Sequence, residues 1–104
     1  DDGHVGSLYP GRDEVLATGS WVLSVAAKTP GSISLSLPVM AAAKQVVIAA
    51  CGTSIKYPQG KSDAMRQAIE GEENLSSFPA SGLRPVATWV LDEAAASKLS
   101  PEYR

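Results

Sequence analysis

The chain has 104 residues, of which 44% are hydrophobic and 19% charged, and its formal net charge is −2. Such a length holds at most one small domain. The lack of a basic excess argues against a nucleic-acid or anionic-membrane binder, while leaving room for a local basic pocket that holds a phosphate. Cys51 is the only cysteine, so an intrachain disulfide is excluded and a reducing compartment is the simpler reading. At the end of an apolar run it reads as a small buried hydrophobe rather than a nucleophile. No stretch approaches the ~18 consecutive apolar residues of a membrane-spanning helix, because Lys28 and Lys44 interrupt the longest apolar runs. No signal or transit segment is visible.

In chain order, residues 1–11 (DDGHVGSLYPG) read as a loop, with Gly3, Gly6 and the Pro10-Gly11 pair as turn formers. This loop carries the only histidine, His4, two residues after the carboxylate of Asp2. The one side chain that titrates near neutral pH therefore sits where a general base is useful. Arg12 to Leu16 predicts a short helical turn stopped by Gly19. Trp21 to Val25 has the aromatic and β-branched composition of a strand, and Lys28-Thr29-Pro30-Gly31 breaks the pattern. Ser32 to Leu37 alternates polar and apolar, which predicts a half-buried strand with Ile33, Leu35 and Leu37 on one face. Pro38 ends it and can open a short helix through Lys44.

Gln45 to Ala50 is nearly all apolar and predicts a strand covered on both faces, as in a parallel sheet. Residues 55–60 read as a polar loop. Ser62 to Glu70 predicts a helix with Ser62 as N-cap, an apolar stripe of Ala64, Met65, Ala68 and Ile69, and Gly71 as its stop. Residues 72–85 are rich in Gly, Pro, Ser and Asn and predict a long surface loop. Val86 to Leu91 predicts the last strand, and Asp92 caps a predicted helix over Glu93–Leu99 with Lys98 near its end. Strand–helix alternation after residue 32 indicates an α/β sheet. With three or four strands, such a sheet leaves edges and faces bare, so a further element is expected to cover it.

Four ordered segments carry a resemblance. Residues 2–11, Asp2-Gly3-His4-Val5-Gly6-Ser7-Leu8-Tyr9-Pro10-Gly11, are similar to the D-G-H-x-x-S-L-[FY]-P-G signature of the 6-phosphogluconolactonases. Lys28-Thr29-Pro30 with Ile33 to Pro38 is similar to that family's S-P-K-P-P segment and I-T-[LM]-T-L-P strand. Gly60-Lys61-Ser62-Asp63-Ala64-Met65 is similar to its G-K-A-x-A-L helix start, and Trp89 to Ala96 to its closing W-F-L-D-x-x-A-A. Aminosugar-phosphate isomerases share the Asp-Gly-His loop but continue it differently, and Ser7-Leu8-Tyr9-Pro10 favours the lactonases.

The resemblance implies an α/β fold: a partial Rossmann-like parallel sheet with flanking helices, residues 1–104 forming the C-terminal portion of a single lactonase-like domain. It implies hydrolysis of 6-phosphogluconolactone to 6-phosphogluconate in the oxidative pentose phosphate pathway, in the cytoplasm or plastid stroma. His4 is then the general base, and Asp2 either orients the imidazole or shapes the turn. Backbone N–H groups around Gly3 and Gly6 are candidates for the oxyanion. Gly3, Lys28 and Lys61 are the candidate substrate and phosphate contacts, Lys28 ahead of Lys61; a cation at a helix start opposes the dipole and is rationalised by a nearby anion. No cofactor is expected. No metal is expected either, since one histidine and no Cys–His spacing offer no ligand set.

The chain departs from the pattern in three places. Ser32 stands where an arginine often precedes the strand, residues 51–60 form a longer loop, and the family's N-terminal half, with its glycine-rich phosphate loop and an active-site arginine, is not among these residues. The sequence opens within what the family reads as a loop, which suggests a processed product, a piece of a longer chain or a shortened descendant. The expected partners are a phosphorylated sugar lactone and a protein partner or missing N-terminal half that covers the sheet. The alternative to the enzyme is a non-catalytic structural subunit or interaction module of a larger assembly.

Overall fold

A computed structural model describes residues 2–26, 29–56, 58 and 60–103. A 3₁₀ turn at Asp13–Leu16 follows the N-terminal loop. Then come β1 (Val22–Val25), β2 (Ser32–Leu35), α1 (Leu37–Ala41), β3 (Val46–Ala50), α2 (Ser62–Glu70), a 3₁₀ helix at Pro79–Leu83, β4 (Ala87–Leu91) and a last 3₁₀ turn at Pro101–Tyr103. β1 and β2 form an antiparallel pair in the register Val22–Leu35 to Val25–Ser32. β3 and β4 form a parallel pair in the register Val46–Ala87 to Ala50–Leu91. The α/β class and the parallel pairing follow the sequence reading; the hairpin is a separate two-stranded sheet.

The core has two apolar clusters. Ala50, Ala64, Met65, Ala68, Phe78, Ala80 and Ala95 form one, between the parallel pair and the apolar stripe of α2. Leu8, Val15, Leu37 and Leu83 form the other, beneath the N-terminal loop and α1. Val5 packs against both, so the histidine-bearing loop joins the two halves of the core.

Several expectations are corrected. β2 alternates as predicted but with the opposite face inward: Ser34 and Ser36 are buried, whereas Ile33 is 74% exposed and Leu35 is also exposed. Leu37 is buried, but as the first residue of α1 rather than as part of the strand. Ser34 turns inward because its hydroxyl oxygen accepts the Ser7 N–H and donates to the Leu35 carbonyl. α1 is shifted toward the N-terminus, with Pro38 in its first turn where no N–H is needed. β3 is covered on one face only; Val47 is 60% exposed. Because side chains alternate, burying Ala50 turns Cys51 outward, and its thiol is exposed rather than buried.

Three further readings change. Lys61 rather than Ser62 occupies the N-cap of α2, with no side-chain cap bond, and Ser62 is the first helical residue. Residues 72–85 are a surface loop only in part: 72–77 are irregular and largely exposed, whereas Phe78, Pro79, Ala80, Ser81 and Leu83 are buried. The predicted helix over 93–99 is a run of turns held by Ala96 N–H to Asp92 O, Ser97 N–H to Ala94 O and Leu99 N–H to Ala96 O. Asp92 still caps it, but one carboxylate oxygen is shared between the Ala95 N–H (2.8 Å) and the Gly52 N–H (2.9 Å). It thereby ties the end of β3 to the segment after β4, and that competing tertiary bond sets the local geometry. The C-terminal end of α2 is satisfied by a residue that local reading does not reveal: Arg84 donates from Nε to the Ala68 carbonyl at 2.6 Å and from Nη2 to the Gln67 carbonyl at 2.9 Å.

Those two backbone donors, Ala95 N–H first and Gly52 N–H second, hold the Asp92 carboxyl below its ordinary pKa against a smaller opposing effect of burial. A depressed carboxylate pKa stabilises the fold above the unfolded-state value, and that contribution is lost as pH falls through the folded-state value. The stability gap between the wild type and Asp92→Asn, read from urea unfolding midpoints, should therefore shrink as the buffer is taken from neutrality to below the ordinary aspartate range. A gap independent of pH would contradict this role.

Candidate functional site

The loop over residues 2–11 is built from short-range bonds and long-range packing. Leu8 N–H donates to the Val5 carbonyl at 2.9 Å, and Val5 and Leu8 form an isolated antiparallel bridge. This tight turn brings Tyr9 back over His4; their rings stack with centroids 4.6 Å apart and planes 23° apart. Leu8 is 0% exposed and pins the turn into the core. Three hydrogen bonds, two to backbone and one to a serine side chain, tether the loop at its start, middle and end: Ala80 N–H to the Gly3 carbonyl (2.8 Å), Ser7 N–H to Ser34 Oγ (3.3 Å) and Gly11 N–H to the Ser76 carbonyl (2.8 Å).

Gly3 is required at its position for two reasons. Its φ of +83° lies in the left-handed region that side chains disfavour, and a Cβ there would lie 2.5 Å from the Phe78 ring. The ring of Phe78, 75 positions along the chain from Gly3, is thus what shapes the backbone just before His4.

Asp2 accepts two hydrogen bonds from His4, one from the ring Nδ1 at 2.6 Å and one from the backbone N–H at 3.0 Å, both on the same oxygen. Asp2 thus contacts both the backbone and the ring of His4 through one oxygen. Burial pushes the Asp2 carboxyl up, but the bonds from the His4 ring and backbone and the Coulombic attraction to His4 together outweigh it, leaving the carboxyl below its ordinary value. An ionised carboxylate only accepts, so Nδ1 carries the proton and Nε2 of a neutral ring is the basic nitrogen. Both side chains are substantially exposed, 42% for His4 and 51% for Asp2. An exposed pair of this kind contributes only about 0–1 kcal/mol to stability, so its value lies in orientation rather than in holding the fold.

Lys61 sits at the start of α2, exposed, with its N–H donating to the Gly52 carbonyl at 3.0 Å. That contact is possible because residue 60 is glycine: φ is +64° and an added Cβ would fall inside the Gly52 carbonyl. Lys61 is therefore anchored beyond the carboxyl end of β3, the side of a parallel sheet on which ligands are usually bound. No contact joins its ammonium to Asp2 or His4 among the described residues. Lys28 lies outside the described residues.

A polar cleft of about 690 Å³ runs along α2, lined by Asp63, Arg66, Glu70 and Glu73 among others. Its carboxylates outnumber its single arginine, the wrong sign for a phosphate, and it contains no residue of the histidine loop. The sequence reading missed the Tyr9 stack and the Phe78 support; neither has a periodic signal, since both depend on how the turn and the 3₁₀ segment dock.

The family model described as glucosamine-6-phosphate isomerases/6-phosphogluconolactonase matches residues 1–91. Among curated relatives, the chloroplastic 6-phosphogluconolactonase 3 of Arabidopsis thaliana is 31% identical over 94% of this chain and 29% of its own length. The 6-phosphogluconolactonase of Rattus norvegicus is 33% identical over 98% of this chain and 39% of its own. That of Streptomyces coelicolor is 37% identical over 94% and 37%. The chain belongs to the glucosamine-6-phosphate isomerase/6-phosphogluconolactonase family, and it spans about 29–39% of the length of these curated relatives.

Replacing Gly3 by alanine should displace the Phe78 ring or the loop itself. The sole histidine makes this easy to read: the His4 Cε1–H proton resonance should broaden or move in Gly3→Ala, and the variant should lose about 1–2 kcal/mol from the left-handed backbone alone in urea unfolding. A variant with wild-type stability and an unchanged His4 line would contradict the contact.

Proposed function

We propose that this chain carries the proton-accepting loop of a 6-phosphogluconolactonase, which hydrolyses 6-phosphogluconolactone to 6-phosphogluconate with His4 as general base. The observation that carries the reading is the 2.6 Å contact between Asp2 and Nδ1 of His4, in a loop whose curated relatives bear the lactonase name. Neutral His4 accepts at Nε2 a proton from water as the water oxygen bonds to the lactone carbonyl carbon. The resulting imidazolium is stabilised by ionised Asp2 across Nδ1. Backbone N–H groups around Gly3 and Gly6 are the candidates to steady the negative charge that develops on the carbonyl oxygen. When the tetrahedral species collapses, the ring C–O bond breaks and the departing ring oxygen takes a proton back, leaving a hydroxyl and a carboxylic acid that ionises.

The substrate phosphate is held by cations and amides: Lys61 at the carboxyl end of β3, and Lys28. The polar cleft along α2 is not the phosphate site on this reading, because its net charge is negative. The outward apolar faces of both sheets, Ile33 and Val47 among them, are covered by the remainder of a lactonase-type domain, on this chain or on a partner. The compartment is cytoplasm or plastid stroma, and the reaction serves oxidative pentose phosphate metabolism.

Loss of 6-phosphogluconolactone above its spontaneous rate tests this reading. His4→Ala should lower kcat/KM roughly 10²- to 10⁴-fold, the usual contribution of a positioned base. Asp2→Asn should lower it less while leaving the unfolding midpoint nearly unchanged, since the pair is exposed. Wild-type activity in His4→Ala would sink the proposal.

A further inference from the structure

Resting on the hydrolase reading above, the geometry points to Tyr9 as a second positioning residue for His4. Asp2 fixes the imidazole only along the Nδ1 direction, by a single ring contact. A ring held at one atom still pivots about that bond and the side-chain torsions, and a base displaced by about 1 Å loses much of its advantage. The face-on Tyr9 ring, at 4.6 Å and 23°, supplies the missing constraint on the imidazole plane. Together the two contacts leave Nε2 on the side of the ring away from Asp2, in a plane 23° from that of the Tyr9 ring.

The backbone beneath Tyr9 is itself held firmly. The preceding residue, Leu8, is fully buried; the Tyr9 carbonyl accepts the Arg12 N–H at 3.3 Å; and Gly11 N–H is tied to Ser76. The stack therefore transmits the rigidity of the core to a ring that is 42% exposed. Tyr9 touches the base and acts through it.

The test pairs Tyr9→Leu with Tyr9→Phe and reads both His4 and turnover. The single His4 Cε1–H line should be shifted upfield by the tyrosine ring current, stay so in Tyr9→Phe, and move downfield in Tyr9→Leu. With 6-phosphogluconolactone as substrate, Tyr9→Leu should lower kcat roughly 10- to 100-fold with KM within about twofold of wild type, and Tyr9→Phe should restore kcat. A His4 line that does not move in Tyr9→Leu overturns the stack. A line that moves while kcat stays at the wild-type value overturns the positioning role, as does an equal loss of kcat in Tyr9→Phe, which would place the effect in the hydroxyl. A wild-type protein that shows the ring-current shift but no hydrolysis, assayed with the remainder of the lactonase-type domain present, overturns the hydrolase reading, and with it any catalytic meaning of an otherwise correct stack.

Discussion

The burial of Leu8, with partly buried Val5 packed against both clusters, is the constraint on which the rest of this structure depends. Leu8 is inaccessible to solvent, and Val5 touches both apolar clusters, so the loop that carries Asp2, His4 and Tyr9 is part of the core rather than an appendage to it. Truncating a leucine buried this way typically costs about 2–5 kcal/mol, a large part of the margin of a small domain. The loop therefore cannot move without the fold moving. This explains how two exposed groups, whose mutual attraction is weak, are nonetheless kept in a single geometry.

In this loop the labour is divided between strong and weak contacts. Apolar burial at Leu8 and the Phe78 ring against Gly3 set where the backbone runs. The Asp2 carboxylate and the Tyr9 ring then set how the imidazole is turned, at little energetic cost. Serines on the inward face of β2 belong to the same scheme: Ser34 accepts the Ser7 N–H and tethers the middle of the loop. The consequence is that Ile33, Leu35 and Val22 point outward with Trp21 nearby, 80% exposed, while Val47 and Val90 do the same on the parallel pair. Apolar faces of this kind are expected on a chain that spans 29–39% of the length of its relatives.

Much of this was legible in the sequence, and the failures share a cause. Runs dominated by one local signal were read well: the β-branched composition of β1, β3 and β4, the apolar stripe of α2, and the turn residues of the Asp-Gly-His loop. Period-two alternation in β2 was also visible, but alternation shows only that two faces differ, and the inward choice was made by a serine bonding to a loop 27 positions away. The Gly-, Pro- and Ser-rich composition around residues 72–85 hid Phe78 and Leu83, whose burial depends on Gly3 and Leu8 from the other end of the chain. Asp92 is legible as a cap, but its second bond to Gly52 has no local signal, and the segment it caps is a series of turns rather than a helix. In each case a long-range partner overrode a local preference.

The most direct test of the central claim is the tautomer of neutral His4, read from the imidazole nitrogen-15 shifts of the single histidine. The account predicts the proton on Nδ1, shared with Asp2, and an unprotonated Nε2 ready to accept one from water. A neutral ring found with its proton on Nε2 would leave Asp2 without a donor from the ring and would contradict the assignment of His4 as the base.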